Sequence, residues 1–201
     1  MEPAVNDDRI DWFYSFRSPY SYLSGPRGFE LADDYRVDLR FRGVIPMMMR
    51  GESVPRSKRI HTIRDVKCEA RRLGMPFGPS HDPLGEGATR CLAVSEYAND
   101  QGRSREFVLS ASTGIWAEAV DLTTDEGLRL VSERAGLDWP GCLAAVRDPR
   151  IAERVEANTE ELVEIGHWGV PVFVFRGEQF WGQDRIDDLR LVLDDAGLRN
   201  A

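Results

Sequence analysis

The chain has 201 residues, of which 42% are hydrophobic, and its formal net charge is −8 at pH 7. This length predicts one domain, or one domain with a large insertion, and enough apolar side chains to form a core. The acidic charge argues against nucleic-acid partners and anionic membrane surfaces, since both select basic faces. We also expect no signal peptide and no membrane span, because no apolar run follows a basic start and none approaches the required length.

The cysteine content indicates a reducing compartment. Cys68, Cys91 and Cys142 are odd in number and scattered along the chain. This pattern predicts reduced thiols in a cytoplasmic protein and not a disulfide framework. No Cys/His spacing typical of zinc sites occurs, so we expect no bound metal.

The first elements are predicted to be a strand, a helix and a second strand. An apolar stretch over residues 9–16 predicts the first strand. Ser18 and Pro19 then mark a helix start, because serine is a favoured N-cap and proline suits the first helical position. This helix is predicted to reach about residue 33. Alternating apolar and polar residues over 37–44 predict the second strand.

The middle of the chain is predicted to be helical. Residues 50–58 are turn-rich and predict a loop, and a helical pattern follows from 60 to 73. After a loop over 76–87, further helical patterns lie at 88–101, 103–118, 124–135, from Pro140, and from Pro149 to about 165.

The C-terminal part predicts a hairpin. The sequence Gly169-Val170-Pro171 precedes an apolar strand, a tight turn at 176–178 and a second strand. A helix start follows, and its predicted cap lies near Asp184.

Together these two motifs resemble the thioredoxin fold, in which Cys-x-x-Cys normally lies at a helix N-terminus opposite a cis-proline. Ser18 and Ser21 occupy the two cysteine positions here. Among DsbA-like members, the kappa-class glutathione transferases and the 2-hydroxychromene-2-carboxylate isomerases look closest, with Phe-Tyr-x-x-x-Ser-Pro-Tyr-Ser and Gly-Val-Pro…Trp-Gly-x-Asp-Arg. The resemblance implies an α/β, thioredoxin-like domain split into residues 1–51 and 166–201, with an all-helical insertion domain at 52–165.

Ser18 is the predicted catalytic residue, although it could be only a helix cap. In the family this serine hydroxyl bonds the sulfur of glutathione and favours the thiolate. A charge-assisted hydrogen bond contributes about 1.5–3 kcal/mol, which would lower a thiol pKa by roughly one to two units. The helix N-terminus adds to this effect. Because neither motif position is cysteine, dithiol–disulfide cycling is excluded.

The resemblance also implies contacts along a bound glutathione. Val170 would present its backbone to the thiol beside a cis-Pro171. Gln183 and Asp184 match the position that holds the γ-glutamyl end, although an aspartate there is also a common cap. Lys58 matches a lysine near the glycyl carboxylate, or is an exposed loop charge.

One departure concerns the loop before this lysine. The family's asparagine has no counterpart, since Gly51-Glu52-Ser53 stands in a shorter loop. Another low-molecular-weight thiol is therefore an alternative to glutathione.

Several apolar residues are candidates for a substrate pocket. The run Met47–Met49 either fills gaps in the core or forms an adaptable pocket wall. Tyr20, Met47 and Met48 are the predicted pocket residues. Core or pocket walls are also expected to include Trp116, Trp168 and Trp181.

The predicted function is a cytoplasmic, thiol-dependent isomerase of a small unsaturated aromatic or enone substrate. His61, His81 and His167 show no obvious acid partner, which argues against a histidine general base. A kappa-like glutathione transferase and a non-catalytic small-molecule-binding protein are the alternatives. Members of this family are commonly dimers, so the resemblance also implies a homodimer.

Overall fold

A four-stranded mixed sheet lies at the centre of the molecule. The computed structural model describes residues 8–200. Strands β1 (Arg9–Tyr14), β2 (Asp38–Gly43), β3 (Val172–Phe175) and β4 (Glu178–Trp181) are arranged in the order β2-β1-β3-β4. Strand β1 pairs parallel with β2 and antiparallel with β3, and β3 pairs antiparallel with β4. The predicted α/β class is confirmed.

Helices surround this sheet and fill the middle of the chain. Helix α1 (Pro19–Asp34) connects β1 to β2, and α8 (Ile186–Asp195) follows β4. Short 3-10 helices span Met47–Arg50 and Gln183–Arg185. The helices between β2 and β3 are α2 (Arg56–Arg72), α3 (Glu86–Asp100), α4 (Ser104–Ala117), α5 (Asp125–Arg134), α6 (Trp139–Arg147) and α7 (Pro149–Glu164). Within residues 8–200, no helix is both long and apolar enough to cross a membrane.

The start of α2 differs from the prediction. Its residues were expected to be loop until about residue 60, but the helix begins at Arg56, directly after Pro55. Only Val66 and Ala70 of this helix are buried. Its first turn therefore packs no apolar face against the core, and the sequence there lacks the apolar repeat that indicates a helix. As a result, Lys58 lies in the first turn of a helix and not in a loop.

Helix α1 packs very closely against the sheet. The indole of Trp12 is fully buried and stacks on Phe173, with ring centroids 5.1 Å apart. Gly28 of α1 faces this indole, because a Cβ at Gly28 would lie 2.6 Å from Cη2 of Trp12. The contact packs α1 closely against the face of β1.

The helical segment and the sheet share one hydrophobic core. Phe16 lies beside Phe107 of α4, with ring centroids 5.9 Å apart, and Trp116 Nε1 donates to the Phe16 carbonyl over 3.1 Å. Tyr14 and Ser112 are joined by a buried hydrogen bond of 2.6 Å. The division into domains 1–51 plus 166–201 and 52–165 stays a prediction, and residues 1–7 and 201 of the first domain lie outside the described residues.

Candidate functional site

A cavity of about 820 Å³ lies where the start of α1, the 3-10 helix after β2, helix α2 and the segment before β3 meet. Its wall contains residues from widely separated parts of the chain. All the residues predicted for the site line this one cavity: Ser18, Tyr20, Met47, Met48, Lys58, Val170, Pro171, Gln183 and Asp184.

Ser18 lies at the N-terminus of α1 with its hydroxyl at the cavity wall. Its Oγ accepts from the backbone N–H of Ser21 over 3.2 Å, which makes it the helix cap. The same hydroxyl donates to the carbonyl oxygen of Val170 over 3.1 Å. The Val170–Pro171 peptide bond is cis, as predicted. The arrangement brings a hydroxyl, a helix N-terminus and the backbone of Val170 to one point, which suits an anionic or strongly polar ligand atom.

Tyr20 forms part of the wall but has an occupied hydroxyl. The hydroxyl donates to Oδ2 of Asp65 in α2 over 2.7 Å. Burial and this carboxylate raise the pKa of Tyr20, so the phenol stays neutral. Tyr20 therefore connects α1 to α2 and is unsuited to act as a base.

Gln183 and Asp184 differ sharply in their exposure. Gln183 is buried, and its Nε2 donates to Oε2 of Glu69 over 3.3 Å. The Asp184 side chain is 60% exposed and lies 3.3 Å from Arg185.

The predicted cap near Asp184 is wrong. Asp184 lies inside the 3-10 helix, and α8 begins after Arg185 without a side-chain cap. Gly182 turns the chain at a φ of 118°, so the helical backbone starts earlier than an Asp cap would require.

The comparisons with known proteins identify the family. The family model described as a DSBA-like thioredoxin domain matches residues 9–194. The chain belongs to this family. Its membership agrees with the position of Ser18 at the start of α1 opposite a cis-proline.

Relatives within the DsbA-like family carry the name predicted from the motifs. The 2-hydroxychromene-2-carboxylate isomerase of Pseudomonas putida is 24% identical over 182 residues, which cover 88% of this chain and 90% of that protein. The protein of the same name from Sphingobium xenophagum is 26% identical over 191 residues, covering 92% and 98%. The resemblance to this branch is confirmed.

Solved structures of DsbA-like proteins agree with the fold. A 2-hydroxychromene-2-carboxylate isomerase structure superposes with a TM-score of 0.80 at 23% identity, covering 94% of this chain and 95% of that one. The cytosolic disulfide reductase DsbM from Pseudomonas aeruginosa with GSH has a TM-score of 0.68 at 16% identity, covering 92% and 99%. These likenesses support a DsbA-like thioredoxin fold with a helical insertion.

The cavity of this DsbA-like chain also contains charged residues that the sequence did not single out. Arg17 makes a two-pronged ion pair with Asp82, with both N–O distances 2.8 Å, and its Nη1 lies 2.9 Å from Sδ of Met48. Arg50 lines the cavity beside Trp168. Arg17 directly precedes Ser18, so its position close to the site could have been inferred from the sequence. No motif in the sequence indicates that Arg50 lines the cavity.

His81 and His167 each contact a specific side chain. The expectation that no histidine has an acid partner is wrong for His81, whose Nε2 lies 3.4 Å from Oδ1 of Asp121. The two residues are 40 positions apart and meet only because their loops pack together; neither lines the cavity. The ring of His167 lies beside Trp181, and burial lowers the pKa of His167.

Metal ligands are not grouped in the part of the chain that the structure describes. Residues 8–200 contain no cluster of three or more His, Cys, Asp or Glu side chains that could hold a metal ion.

Proposed function

We propose that this protein is an isomerase that uses a low-molecular-weight thiol, with glutathione as the first candidate, on a small unsaturated aromatic or enone substrate. The observation that carries the proposal is the Ser18 hydroxyl, at a helix N-terminus and 3.1 Å from the Val170 carbonyl, in the wall of a large cavity. The shared name of the curated relatives supports this reaction class.

The source of sulfur follows from the cavity wall. None of the cysteines Cys68, Cys91 and Cys142 lines the cavity, and the two motif positions are Ser18 and Ser21. A sulfur nucleophile must therefore come from a bound thiol. That a DsbA-like neighbour has been solved with GSH supports glutathione as the candidate.

The polar groups of the cavity fit a thiol peptide. When bound, the thiolate would supply a nucleophile that adds reversibly to a double bond, permits rotation about it and leaves unchanged. The Ser18 hydroxyl would donate to the sulfur and, with the N-terminus of α1, lower the thiol pKa by roughly one to two units. The Val170 carbonyl would accept from a backbone N–H of the ligand.

Charged residues of the cavity wall would hold the charged ends of the thiol. Asp184, with Gln183 beside it, would receive the ammonium group, and Lys58 would receive the glycyl carboxylate. Tyr20, Met47 and Met48 would contact the apolar substrate, since methionine side chains adapt to irregular shapes. The proposal also includes two expectations from the sequence, namely that the protein acts in the cytoplasm and that it forms a homodimer.

The decisive experiment is a turnover assay with 2-hydroxychromene-2-carboxylate in the presence of glutathione, in the presence of cysteine, and without a thiol. We expect an isomer of unchanged mass to form only when a thiol is present, and the thiol to be recovered. A product heavier by the mass of the thiol would instead indicate a transferase. Binding without turnover would indicate a non-catalytic protein and contradict the proposal.

A further inference from the structure

Helix α2 carries most of the positive charge that has no partner within the chain. It contains seven arginines and lysines, and only Arg72 makes an ion pair, with Glu69. In the described part of the chain, every cation outside α2 pairs with a carboxylate except Arg36, Arg50 and Arg147. Unpaired positive charge is thus concentrated on one helix of an acidic protein.

Four of these cations share the outer face of α2. Residues three or four positions apart lie on the same side of a helix. The outer face, which we call the basic stripe, consists of exposed residues at this spacing: Arg56, Ile60, Arg64, Lys67 and Arg71. Ile60 is 45% exposed and adds an apolar side chain to the stripe. The opposite side of the helix buries Val66 and Ala70, so the basic stripe faces solvent.

Helix α7 presents the opposite charge on its own outer face. This acidic stripe consists of exposed glutamates at helical spacing: Glu153, Glu156, Glu160 and Glu164. None of the four makes an ion pair with any residue between 8 and 200. Three of them line a groove of about 410 Å³ together with Ile45, Thr159 and Val163. Val163 is 56% exposed, so an apolar surface lies directly beside the acidic charges.

The two stripes have the same spacing when they are followed in opposite directions. From the N-terminus of α2 the residues are Arg56, Ile60, Arg64 and Lys67, and from the C-terminus of α7 they are Glu164, Glu160, Glu156 and Glu153. The intervals are four, four and three residues in both helices. At a rise of about 1.5 Å per residue, each set extends over about 16 Å. Antiparallel packing of the two faces would therefore place each of the three cations opposite a glutamate.

We propose that the basic stripe of one copy of this protein docks antiparallel on the acidic stripe of a second copy. The inference rests on the homodimer of the proposed function and assigns the two faces that form it. Arg64 lies opposite Glu156 at the middle of the contact, and Ile60 enters the groove beside Val163. Complementary charge speeds association and fixes the alignment of the two faces. Each copy has both stripes, so a two-fold axis repeats the contact and closes the assembly as a dimer.

This contact would support a helix that its own chain packs weakly. Helix α2 buries only Val66 and Ala70, yet its other side supplies Lys58, Arg59 and Thr62 to the cavity wall. Segments with few buried apolar contacts open at a low cost in free energy. Docking on the outer face of α2 would therefore hold one wall of the cavity in place.

The test is sedimentation equilibrium of the full chain at low and high salt. In about 50 mM NaCl we expect the wild-type protein to be a dimer at about 50 μM. At about 500 mM NaCl the dissociation constant should rise tenfold or more, because salt screens charges at the edge of an interface. Hydrogen exchange at protein concentrations above and below this constant should show protection of α2 and α7 in the dimer.

Charge reversals connect the dimer to the two stripes. Arg64→Glu and Glu156→Lys should each raise the dissociation constant tenfold or more, because like charges then meet at both contacts of the dimer. Both side chains are exposed, so neither change disturbs the core. An equimolar mixture of the two variants should regain the wild-type affinity, since every reversed charge then meets its opposite. The matched control is Arg147→Glu, which reverses an exposed, unpaired charge outside both stripes and should leave the dimer unchanged.

Three results would overturn this interface. The first is a wild-type protein that stays monomeric at about 100 μM in low salt. The second is a dimer that both reversals leave intact, which would keep the homodimer but place it on another face. The third is a mixture of the two variants that stays monomeric, which would mean that the stripes do not face each other. Sedimentation needs no substrate, so a lack of thiol-dependent turnover would contradict the proposed reaction and leave the interface standing.

Discussion

The hydroxyl of Ser18 donates its hydrogen bond to the carbonyl oxygen of Val170, a residue 152 positions further along the chain. A hydroxyl has one proton to donate, so a sulfur bound at Ser18 would compete with Val170 for it. If the hydroxyl turns to the sulfur, the Val170 carbonyl becomes available to a ligand N–H. The two residues therefore form a pair of groups that one thiol peptide can engage together.

Ser18→Ala is expected to lower thiol-dependent turnover by about 10- to 100-fold, because a charge-assisted hydrogen bond contributes about 1.5–3 kcal/mol. It should also reduce the free energy of unfolding by about 1 kcal/mol, since the N-cap is lost. Measurements of kcat/KM and of urea unfolding check both effects. Ser21→Ala is the control: its backbone N–H still reaches Ser18, so turnover should be retained. Wild-type turnover in Ser18→Ala would contradict the assigned role.

Asp184→Asn is expected to weaken glutathione binding by no more than about fivefold. The side chain is 60% exposed and already lies beside Arg185, and exposed ion pairs contribute about 0–1 kcal/mol. Titration calorimetry with wild type and variant measures the change. Asp188→Asn is a matched control, because Asp188 also pairs with Arg185 but does not line the cavity. A loss above tenfold would show that binding desolvates Asp184, contrary to this expectation.

The native protein is expected to show one fast-reacting thiol. Cys68 is exposed, whereas Cys91 and Cys142 are buried, and burial raises the pKa of both of these thiols. At about pH 8 their reactive thiolate forms are therefore rare. An aromatic disulfide reagent should count one thiol in the native protein and three after unfolding. Cys68→Ser should abolish the reaction of the native protein with this reagent and leave isomerase turnover intact. A loss of turnover would contradict the need for an external thiol.

Gly28→Ala is expected to lower the free energy of unfolding by about 1–3 kcal/mol, because the new methyl group would lie 2.6 Å from the buried Trp12 indole. Urea unfolding measures the loss. Gly87→Ala is the comparison, since the nearest atom to its Cβ would be 3.4 Å away, an ordinary contact. It should change stability by less than 1 kcal/mol. Equal effects of the two substitutions would contradict the close packing of α1 on the sheet.

Much of the local structure could be predicted because its causes are local. Ser18 caps α1 by accepting from the backbone N–H of Ser21, and Pro19 fits the first helical position. The four residues from Ser18 to Ser21 were therefore enough to predict the helix start. The start of α2 was missed because this helix buries only Val66 and Ala70 and shows little apolar periodicity. The cap predicted at Asp184 failed because Gly182 starts the turn earlier.

The sequence by itself determined the α/β class, the resemblance to one branch of the family and part of the set of residues around the cavity. Tertiary structure alone decided which of these groups have partners. The pairing of His81 with Asp121 and the meeting of Arg50 and Lys58 at Trp168 join segments that are distant in the chain. Propensities and caps act over a few residues, whereas desolvation and charge pairing depend on how packed elements approach each other, so only the folded chain specifies them.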